Sequence, residues 1–384
     1  SHRPSAPAEK IRSSRRDPDA PFALTSGVDI QTLTAGQKAV GGTDTYTDGD
    51  HITGTSNNTV ELTLNGAISK QAQLTNVDKV VVQSQSGTSV NTSGWTGQKN
   101  ITLDRVVADV TLTDVQASAT QIDIVDANKA AKKITVTYDA QGITEANIGV
   151  LESYAAIKLG VEAAPDAAIK KINLKINDVA GRNSKLADLE GYKTETLKID
   201  GGFAGGKFEI VGDLDATLTR LNAAGAKSDL VLKSTEADRK ALDATFGSGN
   251  DTFTVGNTLN SNDKFDGGAG KDTLVATFTN VGTRVPTSVN IETFDLTFKG
   301  NASVDFAKVD SLEKIIVRES TNRFDLKNLD ATFTNLEVHG KQAAGLQYVG
   351  YAEGEKNTKL AIDWINDSGN DVDAGQLNVD NAEQ

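Results

Sequence analysis

The chain contains no cysteine and no methionine in 384 residues, only six prolines, and 5% aromatic residues. Without cysteine, neither disulfides nor thiol catalysis is open to it. Its three histidines, His2, His51 and His339, are scattered and give no zinc-like spacing. Hydrolysis by zinc or by a histidine-activated nucleophile therefore has no candidate set. Acids are abundant, but no carboxylate pair stands out for glycoside hydrolysis, so no enzymatic activity is expected. No apolar run approaches the roughly 18 residues of a membrane-spanning helix, so membrane insertion is not expected. Residues 1–20 lack the apolar core of an N-terminal secretory signal. The missing initiating methionine fits a fragment or a processed product. Basic residues are also short, 39 Lys and Arg against 52 Asp and Glu, for a net charge of −13. That balance disfavours a nucleic-acid partner and suits divalent cations, which bridge carboxylates and relieve self-repulsion.

The most specific feature present is Gly267-Gly268-Ala269-Gly270-Lys271-Asp272-Thr273-Leu274-Val275, a full copy of the nonapeptide G-G-x-G-x-D-x-U-x that builds calcium-binding β-rolls. Its glycines allow a tight turn with positive φ, Asp272 offers a hard carboxylate oxygen, and Leu274 is carried inward. Calcium takes about six to eight oxygens, more than one turn supplies, so a second turn must stack beside it. Gly247-Ser248-Gly249-Asn250-Asp251-Thr252-Phe253 supplies it, with Phe246 in place of the first glycine. Between them, Asn262-Asp263-Lys264-Phe265-Asp266 reads as the end of an intermediate repeat, and the extra residues 257–261 as a bulge. Successive turns of a roll alternate sides. Asp251 and Asp272 should therefore share one edge and Asp263 lie on the other, with Phe253, Phe265 and Leu274 inside. The expected metal ligands are drawn from Gly247, Gly249, Asn250, Asp251, Asp263, Asp266, Gly268, Gly270 and Asp272. The competing reading is a set of Gly-Asp turns without metal.

These motifs resemble the calcium-dependent RTX proteins exported by type I secretion, and more narrowly the RTX-bearing surface-layer (S-layer) proteins of Gram-negative bacteria. The strict likeness covers residues 246–276; a looser Thr/Val/Asn/Asp-rich likeness covers most of the chain. It implies a secreted, cell-surface structural protein that binds Ca²⁺ and tiles with copies of itself into a two-dimensional lattice. The alternative is an RTX adhesin or biofilm-matrix protein presenting a receptor- or glycan-binding region. A secreted hydrolase with its catalytic domain elsewhere is a third.

Repetition extends beyond the nonapeptides. Ser26-Gly27-Val28-Asp29 and Ser368-Gly369-Asn370-Asp371 echo Ser248-Gly249-Asn250-Asp251. Asn58 stands near the position of Asp272 in a decayed turn, and Asp373, Asn378 and Asp380 follow the third signature. A small polar residue, an apolar one, an acid and then alternating apolar residues recur at Asn76-Val77-Asp78, Asn290-Ile291-Glu292 and Ser311-Leu312-Glu313. Period-two alternation marks strands, and their 20-odd-residue spacing marks the rungs of a solenoid. The expected fold is mostly β, a parallel β-solenoid or β-roll with RTX-like turns and a few short helices. Those helices fall at Thr144 to Gly160, Thr235 to Phe246 and Asp215 to Ala223. The glycine-rich run 201–206 lacks the Gly-Lys-Ser/Thr ending of a phosphate loop and reads as a hairpin turn. His51 is expected to be a solvated strand residue, and Trp95 and Trp364 packing residues.

The expected segments are 1–20, 21–160, 161–245 and 246–384. The first, with five basic residues and a single large aliphatic, cannot form a core. It reads as a flexible tail or an appended peptide, with docking on anionic lipopolysaccharide as the functional alternative. The second is a β-rich solenoid with a degenerate RTX-like start, the third β-rich with short helices, and the fourth the RTX segment followed by more solenoid.

Overall fold

Inward-facing aliphatic residues stack in columns along the chain. Val60, Val80, Ile101, Ile122, Ile148, Leu174 and Ile199 are consecutive partners on neighbouring strands, 20 to 26 residues apart. The computed structural model describes residues 20–116, 121–127, 131–139, 143–161, 169–340, 342, 346–353, 360–365 and 376–380. Among them the named strands pair only in parallel, forming a β-solenoid of about 14 turns. One thirteen-stranded sheet runs from Phe22–Ala23 to Thr287–Val289, through both expected boundaries at 160 and 245. Four-stranded and six-stranded sheets accompany its first half and a nine-stranded sheet its second; past its end the nine-stranded sheet continues beside a five-stranded one, Gly282–Arg284 to Gln376–Asp380. Parallel sheets usually need both faces covered. Here the coil encloses its own core and leaves the other face polar, so Thr59–Thr63 alternates buried and half-exposed residues.

The recurring small-apolar-acid motif forms corners. Asn76, Asn290 and Ser311 adopt positive φ of 53°, 54° and 71°, a region where asparagine is among the better-tolerated residues. The next residue, Val77 or Ile291, drops into the core. The acid then accepts a backbone N–H from the preceding rung: Asp78 Oδ2 from Asn58 at 3.2 Å, Glu292 Oε2 from Asp272 at 2.7 Å. The acid thus stitches one rung to another.

No helix occurs among the described residues, which corrects three expectations. Thr144 to Gly160 is two strands, Glu145–Leu151 and Ala155–Val161, joined at Glu152 with φ 50°. Joining two period-two strands through a corner produces the three-to-four spacing that imitates a helix. In Thr235 to Phe246 the supposed capping threonine is itself held from another rung, its N–H donating to Asp213 Oδ1 at 2.6 Å. Asp215 to Ala223 is a turn leading into the strand Arg220–Ala226. The 201–206 run is a corner between two different sheets, not a hairpin, since the strands on either side belong to the thirteen- and nine-stranded sheets.

Phe253, Phe265 and Leu274 are all buried, as their register requires. The Phe253 ring lies 5.4 Å from Phe246 and 5.8 Å from Phe265, centroid to centroid. Trp95 is a packing residue, its indole N–H donating to Tyr46 Oη at 2.9 Å in the core. His51 is exposed on a strand.

Candidate metal centre

Aspartates at the turns do two jobs. One oxygen closes the residue's own turn, and the other accepts a backbone N–H one rung back. Asp50 takes the N–H of Thr47 on Oδ2 (2.7 Å) and that of Asp29 on Oδ1 (2.9 Å). Asp263 takes Asn260 (2.9 Å) and Leu242 (2.9 Å). Asp251 takes Gly247 (3.1 Å) and Leu230 (2.7 Å). Asp272 departs from the pattern. Its Oδ1 accepts the N–H of Asp251 at 2.7 Å, but its Oδ2 is buried without a hydrogen-bond partner.

Asp251 and Asp272 therefore stack on one edge, as expected, their strands Thr252–Gly256 and Thr273–Phe278 adjacent in the nine-stranded sheet. Both are 2% exposed. Burial pushes the Asp251 carboxyl up to about 6, against the backbone hydrogen bonds it accepts, with the charge of Asp229 adding to the rise. Burial pushes Asp272 up to about 7, with the charges of Asp251, Glu292 and Asp229 adding to it. Lys271 points elsewhere, to Glu313 at 2.6 Å.

The glycines let the two turns approach. A Cβ at Gly268 (φ 84°) would lie 2.2 Å from the carbonyl oxygen of Gly247, and one at Gly270 (φ 138°) 2.1 Å from that of Gly249. A Cβ at Gly267 would press to 2.6 Å from Asp272 Oδ2 itself. Glycine at 267 thus keeps space beside the unpartnered oxygen. Glycine turn, stacked carboxylates and an orphaned buried oxygen together fit a hard cation. Asp251 and Asp272 would supply its charge and the turn carbonyls the remaining oxygens.

The rest of the expected ligand set is engaged otherwise. Asp263 lies on the opposite edge, as expected, but Arg239 grips it with both terminal guanidinium nitrogens at 2.9 and 2.8 Å, and both side chains are fully buried. Arg239 also donates to the carbonyls of Lys240 and Thr258. This edge carries its cation in the chain, as the Arg239 guanidinium. Asp266 Oδ1 accepts from Gly268 N and Asn290 Nδ2. Asn250 sits in an outer ladder, donating its N–H to Asp229 Oδ1 and accepting that of Lys271 on Oδ1.

Asn58 shows a third solution. Its Oδ1 closes the turn by accepting from Thr55 N at 2.6 Å, while its Nδ2 donates to the carbonyls of Thr34 (2.6 Å) and Gln37 (3.0 Å). An amide N–H stands where a cation would otherwise meet those oxygens. The third signature, Ser368 to Asp371 with Asp373, lies outside the described residues. Beyond it, Asp380 Oδ2 accepts the Tyr348 hydroxyl at 3.0 Å.

Sequence reasoning missed Arg239 because it fell inside a supposed helix. The signal was the rung length, which places residue 239 against residue 263, 24 positions on. Among the described residues no group of three or more His, Asp or Glu side chains is arranged to hold a metal, so side chains alone do not build the site. Known protein families, curated proteins and solved structures give no match to this chain.

Proposed function

We propose that this chain is a structural, non-enzymatic β-solenoid of a bacterial surface layer, secreted by a type I pathway and stabilised by Ca²⁺ at the Asp251–Asp272 turns. The observation that carries the calcium reading is the buried, unpartnered Oδ2 of Asp272 stacked one rung from Asp251. Burying a carboxylate without a partner is costly, and both groups answer by holding protons toward neutral pH. A cation relieves the same cost without a proton. Extracellular calcium, at about millimolar concentration, matches the weak class of such sites. In a calcium-poor cytoplasm the rung would remain loose, and binding after export would complete it.

Self-assembly is supported by charge and shape. A net charge of −13 makes copies repel one another, and monovalent salt screens that repulsion over about 8 Å without bridging specific carboxylates. Divalent calcium does both. The outward faces of a parallel coil offer extended lateral surface.

Light scattering and negative-stain microscopy during a calcium titration, followed by chelator, test the reading. Reversible planar arrays that sodium at equal ionic strength does not produce are the expected result. Monomers persisting through the millimolar range would overturn the lattice and favour an adhesin.

A further inference from the structure

We propose that the strands Asp325–Leu329 and Leu346–Tyr351 carry a binding pocket for a neutral, hydroxyl-rich saccharide, at a place separate from the glycine turns and independent of the calcium reading. A cleft of about 290 Å³ opens on this face, lined by Arg323, Asp325, Lys327, Asn328, Tyr348 and Gly350 together with Tyr351.

Its floor is unusual for a solenoid face. Asp325 is 8% exposed, and its Oδ1 is buried with no hydrogen-bond partner. Its Oδ2 lies 3.2 Å from Lys327 Nζ. Directly across the ladder from Asp325 stands Tyr348. A Cβ on Gly350 would lie 2.7 Å from both Cε1 and Oη of that ring. The tyrosine therefore lies along its strand over a residue with no side chain, and its hydroxyl is tied down by Asp380 Oδ2 at 3.0 Å. Between Leu326 and Leu329 the pairing register shifts, and Asn328 takes φ 53°. Bulges of this kind re-aim side chains and gather beside binding sites. The Arg323 side chain makes no ion pair or hydrogen bond among the described residues.

The charges narrow the ligand. A metal cation at Asp325 Oδ1 would meet Arg323 and Lys327, and an anion would meet Asp325 and Asp380. A polyol satisfies all of them. One hydroxyl donates to the Asp325 carboxylate at Oδ2, others accept from Arg323 and Lys327, Asn328 serves either way, and the Tyr348 ring offers apolar surface to the C–H side of a sugar ring.

The test is saturation-transfer difference NMR on the whole protein with glucose, galactose, mannose, rhamnose and N-acetylglucosamine, each at millimolar concentration. At least one should receive saturation from the protein. Tyr348→Ala and Asp325→Asn should each weaken that sugar about tenfold or more, since each removes a contact to a desolvated group. Gly350→Ala, which tilts the ring, should weaken it less. Unchanged melting temperature in Gly350→Ala and in Arg323→Ala separates lost binding from lost folding. Absence of transfer to every sugar, or transfer indifferent to both Asp325→Asn and Tyr348→Ala, overturns the proposal. Displacement of the sugar by calcium or inorganic phosphate at these residues would overturn it too.

Discussion

Opposite edges of the coil solve one electrostatic problem in two ways. On one, Asp263 is buried against Arg239, and charge, fork geometry and turn carbonyls are all satisfied within the chain. On the other, Asp251 and Asp272 are equally buried but face each other, Asp229 and Glu292, and one oxygen is left without a partner. The backbone device is the same on both: each aspartate accepts an N–H from the rung before it. The turn chemistry therefore does not by itself imply a metal. What implies one is a turn aspartate with no cation or donor of its own.

The largest effect should come from breaking the self-sufficient edge. Arg239→Ala leaves Asp263 as an uncompensated buried charge, which costs about 3–5 kcal/mol. Urea unfolding should show that loss, and adding Asp263→Asn to Arg239→Ala should recover part of it. No recovery would mean that Arg239 acts through packing instead of charge.

Calcium should act only on the other edge. For wild-type protein, ion at 100 times its dissociation constant adds about 2.7 kcal/mol, read as a rise in melting temperature. Asp272→Asn should lose that response. At pH 8 and without calcium the variant should be more stable than wild type, because it removes the buried charge. A wild-type-like calcium response in Asp272→Asn would end the comparison.

Proton linkage gives an effect of comparable size. The folded pKa values of about 6 and 7 lie above the ordinary carboxylate value of 3.8. The folded state therefore holds more protons than the unfolded one across that interval. The stabilisation is complete below pH 4 and is lost as pH rises toward 7, at most about 1.4 kcal/mol per pH unit for each proton. Metal-free wild type should lose stability over pH 4–8 relative to Asp272→Asn, and saturating calcium should remove that difference. Parallel pH profiles without calcium would show that burial does not shift these groups.

The smallest effect concerns Asn58. Asn58→Asp removes two amide hydrogen bonds to turn carbonyls and adds a carboxylate, costing about 1–3 kcal/mol before any rescue. Calcium should restore part of it by taking the place of the amide. Thermal melts with calcium and with chelator read both terms.

The strands were legible from sequence because period-two alternation reports burial directly, as in Val60 and Leu62 or Phe294 and Leu296. The pairing of Asp251 with Asp272 was legible because successive nonapeptide turns of a roll alternate sides, which sets every second turn on one edge. The corners were not legible. Glu152 and Tyr192 at positive φ carry none of the usual glycine or asparagine signal, so the strands around Glu152 merged into a helix-like pattern. Arg239 could not be matched to Asp263 before the rung length was known. The cleft at Asp325 and Tyr348 depends on a register shift that no local pattern announces.

Anomalous diffraction from crystals grown with calcium addresses the central claim most directly. The account predicts an ion within about 2.3–2.6 Å of Asp272 Oδ2, and none beside Asp263, where Arg239 already stands. No anomalous peak at Asp272 in millimolar calcium, or a peak at Asp263 instead, would contradict it.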